Sequence, residues 1–361
     1  MVTPKRSRGQ AQGILISVVI PVYGDAEYAE YLTKCLDSVL STAAGSEPVQ
    51  SVEVIAVDDA APGGCGAMLD ARARLDPRLR VIHLEANVGP GRAREIGAAA
   101  ATGEYVWFVD GDDELTEGAL WVVGEHLDVL RPDVLLVDYE NLYPSGKSTA
   151  SDSGPLLRDS GLVTLADKPE LIRLTMTSWS KLFRREFLSG LSVPFGPGIH
   201  EDVPVSSAAL LAAARIATLD RVCYRYRRQR RSSFMATTSA RHLDIFASYE
   251  RVFAFAATLD PPVTDAVRAA LFERAIWHYS TILPRVPGRR RKEFFRRMSS
   301  DFQRYRPSGY MYPPGARGLK FRLIGRDAYA AYSLLEPLNQ GRVTLRRALS
   351  GAIGGHLYRI R

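Results

Sequence analysis

Trp107-Phe108-Val109-Asp110-Gly111-Asp112-Asp113 places three carboxylates in four residues, directly after an apolar run. Alternating carboxylates at the end of a buried strand can hold a hard divalent cation, which takes oxygen ligands and shares them with a diphosphate. The same acids also suit a turn that caps a helix starting near Thr116. Three like charges this close repel one another unless a cation joins them, which favours the metal over the turn. A second acidic pair, Asp58-Asp59, follows Val54-Ile55-Ala56-Val57. There a carboxylate can accept from a base N–H or a ribose hydroxyl, although taken alone the pair reads better as a turn. Pro21-Val22-Tyr23 closes an earlier apolar run with a ring that can stack on a base or fill a core.

Three further clusters carry charge at turns. Asn87-Val88-Gly89-Pro90-Gly91-Arg92-Ala93-Arg94 precedes a helical stretch, so its glycines let backbone approach a phosphate at a helix N-terminus while its arginines supply charge. It is not a dinucleotide fingerprint, because no G-x-G-x-x-G occurs in the chain. His200-Glu201-Asp202 lies between a Pro/Gly loop and an apolar helix; its acids suit an N-cap, or a general base on a loop rim. Arg225, Arg227, Arg228, Arg230 and Arg231, with Ser232 and Ser233, form the densest basic cluster, fit for a diphosphate or for a solvated surface.

The elements that must position these groups alternate regularly. Apolar strands are expected at 14–22, 52–57, 80–84 and 105–109, with helices at 27–40, 67–75 and 92–101, the last closed by Gly103. Strands whose carboxyl ends carry functional groups are where open α/β sheets bind ligands. Beyond Leu130 the pattern loosens: a strand at 133–139, a polar loop at 141–159, a short strand at 162–165, a Trp- and Lys-bearing segment at 177–187, an apolar helix at 203–214 and a strand at 216–226. From Ala240 to about Met298 the pattern is helical and aromatic.

With 46% hydrophobic and 24% charged residues, the 361-residue chain is globular and not disordered. No apolar run approaches the roughly 18 residues that span a bilayer. Residues 1–13 are basic and polar without an apolar core, so they read as a flexible arm and not a signal peptide. Three scattered cysteines, Cys35, Cys65 and Cys223, exclude a disulfide scaffold or zinc ribbon and favour a reducing cytosol. Charge is uneven: residues 281–361 hold 18 basic against 4 acidic residues, a balance of +14, so residues 1–280 carry −7 of the total +7. An acidic body with a basic tail suits a metal-using catalytic part and a part facing something anionic.

In their order along the chain these pieces resemble glycosyltransferase family 2: Ser17 to Tyr23, Val57-Asp58-Asp59, Asn87 with Gly89, Ala93-Arg94, Gly103-Glu104-Tyr105, Phe108 to Asp113, Ser178-Trp179-Ser180-Lys181-Leu182-Phe183, Glu201-Asp202, and Tyr224-Arg225-Tyr226-Arg227 with Ser232. The resemblance covers roughly 14–235 and is nearest to bacterial enzymes that build or decorate teichoic acids, capsules and other surface polysaccharides. It implies a GT-A fold, a Rossmann-like mixed α/β sheet flanked by helices, over 14–235, with a helical, basic region at 236–361. It implies a metal-dependent inverting transferase that uses Mg²⁺ or Mn²⁺ and a nucleotide-sugar donor, expected to be a UDP-sugar. The acceptor would be a hydroxyl of a polymer or lipid-linked glycan, with no nucleic acid involved.

Residue by residue, the resemblance assigns Pro21, Tyr23 and Asp59 to the nucleoside pocket with Asn87 and Arg94 nearby. Asp110 and Asp112 become the D-x-D pair, with Asp112 on the metal. Asp202 becomes the base beside Glu201, and Arg227 and Ser232 close over the diphosphate. Two departures stand out: Ala60-Ala61 replaces the usual glycine-serine, and Glu95 replaces the usual asparagine. The competing functions are a sugar-1-phosphate nucleotidyltransferase, which expects a Gly-rich loop after the first strand, and a degenerate domain acting as a polymer-binding scaffold. The basic stretch Arg289-Arg290-Arg291-Lys292 with Phe294-Phe295 and Arg296-Arg297 suits peripheral contact with an anionic membrane at the inner face of the cell, a phosphate-rich acceptor, or an oligomer contact. The aromatics Phe246, Tyr249, Phe253, Phe255, Trp277 and Tyr279 fit a packed core better than a carbohydrate platform.

Overall fold

The computed structural model describes residues 16–41, 52–158, 161–196, 198–228 and 237–335; the arm 1–13 and Ser232 lie outside them. The described residues form two compact units, one running to Thr237 and including Ala247–Leu271, the other holding Thr238–Phe246 and the residues from Phe272 onward.

In the first unit the chain runs β1 (Ile16–Val22), α1 (Ala26–Leu40), β2 (Val52–Asp58), α2 (Cys65–Leu75), β3 (Leu79–His83), α3 (Pro90–Ala100) and β4 (Tyr105–Phe108). The next elements are β5 (Glu114–Leu115), α4 (Ala119–Leu130), β6 (Val134–Leu142), β7 (Ser148–Ala150), the short α5 (Gly154–Leu157), β8 (Lys181–Arg184), α6 (Arg185–Gly190), α7 (Asp202–Ala212) and β9 (Ile216–Arg227). The strands make one mixed sheet in the order β3-β2-β1-β4-β8-β6-β9-β5, with β7 paired to β6. The first four run parallel, β8 lies antiparallel to β4 and β6, and β9 is parallel to β6.

Apart from Ser17, β1 is apolar because helices cover both its faces. Ile16, Val18, Ile20 and Val22 share a core with Leu32, Cys35, Leu36 and Val39, which recur at helical spacing along α1. On the other face α3 lies so close that a Cβ on Gly97 would meet a Val19 methyl at 2.3 Å. The parallel strands therefore end side by side at their carboxyl termini, where the charged turns begin.

Four expectations shift at the boundaries. Residues 162–165 contribute only a single bridge, Val163 to Ile216, because a regular partner is missing there. The polar stretch 141–159 is partly ordered, since β6 continues to Leu142 and pairs with β7. Gly103 does not close α3, which ends at Ala100; its N–H instead donates to Ser17 Oγ at 2.9 Å. The helix after the acid turn starts at Ala119 and not at Thr116, whose hydroxyl donates to the Val222 carbonyl on β9.

The second unit has an aromatic core. Phe246 packs against Tyr279 and Phe294 with ring centroids 4.6 Å away, and Phe272 meets Phe302 at 5.0 Å and Tyr310 at 4.9 Å. Of α8 (Asp244–Thr258) and α9 (Asp265–Ile282), residues 244–246 and 272–282 belong to this unit, followed by α10 (Gly288–Tyr305) and α11 (Gly315–Gly325). α10 buries Phe294, Phe295, Met298, Ser299 and Phe302 and exposes Arg289, Lys292, Arg296 and Arg297. Of the aromatics expected in a core, Phe246, Tyr249 and Tyr279 are buried, whereas Trp277 is 39% exposed.

Candidate active site

In the turn after β4, two of the three acids have partners from elsewhere in the fold. Asp110 Oδ1 lies 2.6 Å from Nη2 of the buried Arg94. Asp113, also buried, accepts from the Tyr224 hydroxyl at 2.7 Å and from the Arg227 N–H at 2.7 Å. Burial and the neighbouring Asp112 and Asp110 push the Asp113 carboxyl well above the ordinary range. Tyr224 in turn accepts the Asp110 N–H at 3.2 Å, so one buried phenol ties β9 to both ends of the turn. Gly111 permits the close approach, since a Cβ there would meet the Tyr28 hydroxyl at 2.3 Å. Asp112 remains half-buried between them.

Arg94 is the link to the second acidic cluster. Its Nη1 lies 2.6 Å from Glu201 Oε1, so one guanidinium, in the first turns of α3, bridges the acid turn to the start of α7. Burial alone would lower the Arg94 pKa, and the Asp110 and Glu201 carboxylates more than reverse it, keeping the charge fixed. A Cβ on Gly91 would meet Phe195 Cβ at 3.0 Å and Glu201 Cγ at 3.2 Å, so the first turn of α3 sits hard against the loop before α7.

Glu201 and Asp202 are not side-chain caps: Glu201 occupies the N-cap position of α7 without a capping hydrogen bond. Asp202 Oδ2 accepts the Ser178 N–H at 3.3 Å. Burial, followed by the adjacent Glu201, raises its pKa to about 7, with Arg94 and Lys181 opposing the shift. A carboxyl titrating near neutrality is poised for general-base work.

At the end of β2 the acids turn inward. Asp59 is buried and accepts from the Asn87 side chain at 3.0 Å, the Val88 N–H at 2.6 Å and the Gly89 N–H at 2.9 Å. It shapes the 87–89 turn that starts α3. Asp58 accepts the Ala61 N–H at 3.0 Å and lies 2.9 Å from His83 Nδ1. Pro21 is buried at the end of β1 and Tyr23 is 47% exposed beyond it.

The predicted residues thus divide. Asp110, Arg94, Glu201 and Asp202 meet around one guanidinium, with Asp112 on the same turn. Asp59 and Asn87 meet each other. Arg227 buttresses the acid turn: its Nε donates to the Asp112 carbonyl at 2.9 Å, its Nη2 pairs with Glu114, and its guanidinium covers the Tyr31 ring at 4.7 Å. Glu95 accepts the Phe195 N–H at 3.0 Å and pairs with Arg92, so the departure from asparagine pins the loop before α7. Sequence reasoning gave no separate role to Asp113, Tyr224 or Lys181; only the ends of β4, β8 and β9 meeting in space reveal them.

Among the described residues no three His, Cys, Asp or Glu side chains enclose a metal ion. A hard divalent cation takes oxygen ligands, and Asp112, half-buried on this turn, is the residue that could offer it one.

The sequence model for "Glycosyl transferase family 2" matches residues 17–189. Residues 17–189 belong to that family. This stretch contains the acid turn, Arg94 and Lys181. Among curated relatives, the chain is 29% identical over 221 residues to the uncharacterized glycosyltransferase EpsJ of Bacillus subtilis, covering 59% of this chain and 61% of the relative. It is 28% identical over 226 residues to the Staphylococcus aureus poly(ribitol-phosphate) beta-N-acetylglucosaminyltransferase TarS, covering 61% of this chain and 37% of that one. The chain spans between about a third and three-fifths of the length of the first curated relatives. The crystal structure of S. aureus TarS 1–349 in complex with UDP-GlcNAc superposes with a TM-score of 0.72 at 22% identity, over 91% of this chain and 92% of that one. The fold is thereby that of a GT-A transferase with a helical C-terminal region.

Proposed function

We propose that this chain moves a sugar from a nucleotide-diphosphate donor to a hydroxyl of a surface-polymer acceptor, inverting the anomeric carbon. The observation that carries this reading is the Arg94 bridge, which joins the D-x-D turn to the start of α7, where Asp202 titrates near neutrality. Tyr23 and the turn shaped by Asp59 and Asn87 flank the nucleoside at the ends of β1 and β2. Asp202 takes the acceptor proton as the hydroxyl oxygen bonds to C1; the bond from C1 to the diphosphate oxygen breaks, and the nucleoside diphosphate leaves. A divalent cation, held by Asp112 when bound, would stabilise charge on that leaving group. The buried Arg94 keeps Asp110 and Glu201 compensated where unpaired charge would be costly.

A UDP-sugar donor is supported by the likeness to TarS bound to UDP-GlcNAc. A polymer acceptor is supported by relatives named for poly(ribitol-phosphate) glycosylation and succinoglycan biosynthesis. No helix among the described residues is long and apolar enough to cross a membrane. The apolar side of α10 lies in its own unit's core, so contact between its basic face and an anionic polymer or membrane would be electrostatic. A homo-oligomer through 236–361 would use the same exposed side.

Thermal unfolding across nucleotides and UDP-sugars, with and without Mn²⁺, tests the reading. The expected result is a Mn²⁺-dependent rise in Tm with a UDP-sugar that disappears in Asp112→Ala. No shift with any nucleotide would overturn it in favour of a polymer-binding scaffold.

A further inference from the structure

Lys181 is fully buried at the first position of β8. Its ammonium donates to the Thr175 carbonyl at 2.8 Å, the Thr177 carbonyl at 2.8 Å and Ser180 Oγ at 3.2 Å. A buried lysine is costly unless its charge is compensated and its donors are used. The three acceptors come from one segment, 175–180, drawn around the ammonium by their carbonyl and hydroxyl oxygens. With carbonyls turned inward, the Ser178 N–H points the other way, onto Asp202 Oδ2 at 3.3 Å. The segment is held to α7 a second time, by the Ser207 hydroxyl against Met176 Sδ at 3.3 Å. It is fixed to β4 as well, since Trp107 Nε1 donates to the Trp179 carbonyl at 2.8 Å.

We propose that Lys181 is a positioning residue for Asp202: it anchors the 175–180 segment that holds the carboxylate in place and sets a buried positive charge behind it. The proposal rests on the reading of Asp202 as the base. Four charged groups act on that carboxylate: Glu201 beside it, Arg94 from α3, Asp110 from the turn after β4, and Lys181. Glu201 and Asp110 resist its ionisation, while Arg94 and Lys181 favour it. Arg94 already carries two carboxylates at 2.6 Å.

The test is a pH titration of the full chain labelled with carboxyl-¹³C aspartate, the Asp202 resonance being identified by its loss in Asp202→Asn. Lys181→Met should move the Asp202 midpoint up by about one pH unit, and Lys181→Arg should return it to within about half a unit of wild type. A purely structural lysine would lower Tm and leave the midpoint unmoved, and that result overturns the inference. Should Lys181→Met fail to fold, the coupling is read from the other side with ¹⁵N-labelled lysine. Lys181 Nζ should then titrate lower in Asp202→Asn than in wild type, and an identical titration overturns the inference. UDP release from UDP-GlcNAc with Mn²⁺, measured alongside, separates the two levels. Loss of turnover in Asp202→Asn with unmoved midpoints removes the positioning role alone, whereas retained turnover removes the base reading on which it rests.

Discussion

Two strands of the sheet end in adjacent carboxylates, and the chain uses them in opposite ways. After β2, Asp58 and Asp59 are committed to the protein: Asp59 accepts three N–H donors from residues 87–89, and Asp58 is shared between the Ala61 N–H and His83. After β4, Asp110 is held by a buried arginine and Asp113 by a tyrosine and a backbone N–H, leaving Asp112 half-buried at the turn. Each cluster follows a buried parallel strand. What separates them is the neighbour across the strand ends: a loop rich in backbone donors beside β2, and a guanidinium with a second carboxylate on its far side beside β4. A carboxylate surrounded by backbone N–H groups builds a turn, whereas one paired with a shared cation ties its strand end to a second acidic cluster.

The sharpest way to break this contrast is to remove the shared cation. Arg94→Met leaves the buried Glu201 and the half-buried Asp110 without compensation, and should cost about 3 kcal/mol of stability. Denaturant unfolding measures it, and a loss below about 1 kcal/mol would mean that the bridge is not formed. Asp59→Ala orphans three donors and should cost about 2–3 kcal/mol. Asp112→Asn is its counterpart on the other strand: Tm should stay within about 2 °C of wild type while transfer falls about 100-fold or more. If instead the two substitutions lower Tm equally, the two strand ends are alike and the distinction is lost.

Asp202→Asn refines the same contrast through pH. A carboxyl whose folded pKa is raised to about 7 binds its proton more tightly in the folded state, so the folded state loses stability as pH rises from the unfolded value, near 3.8, through 7. The asparagine variant should therefore gain most in Tm at pH 8, roughly a third as much at pH 5 and about none below pH 3.8. With Asp202 as the proposed base, wild-type kcat should fall as pH drops through about 7. The smallest effect belongs to His83, whose pKa is raised first by Asp58 and then by Asp70. That pairing stabilises the fold below the ordinary histidine value of 6.5 and is lost as pH rises through the raised one. Because His83 is half-exposed, His83→Ala should cost under about 1 kcal/mol at pH 5.5 and nothing at pH 9.

Much of this was legible in the residues. Strand runs such as Val18-Val19-Ile20 and Val54-Ile55-Ala56-Val57 are apolar because both sheet faces are covered, and the α1 positions Leu32, Leu36 and Val39 repeat at helical spacing. Local pattern determines such elements, since burial face and backbone period are set by near neighbours. The order of Pro21, Asp59, Arg94, Asp110 and Asp202 along the chain likewise carried the family resemblance, and with it the expected sheet and candidate site. The boundaries that moved, at 162–165 and after Gly103, depend on partners elsewhere: a strand needs a neighbour to pair with, and Gly103 answers to Ser17. Only the tertiary structure decided which acids are structural and which face the chemistry. Asp59 and Asp112 are the same residue type after the same kind of strand, but their roles follow from groups brought near by folding, with Val88 and Gly89 on one side and Arg94 engaging the turn on the other. Charge interactions act through space and depend on burial, and neither can be read from spacing along a chain.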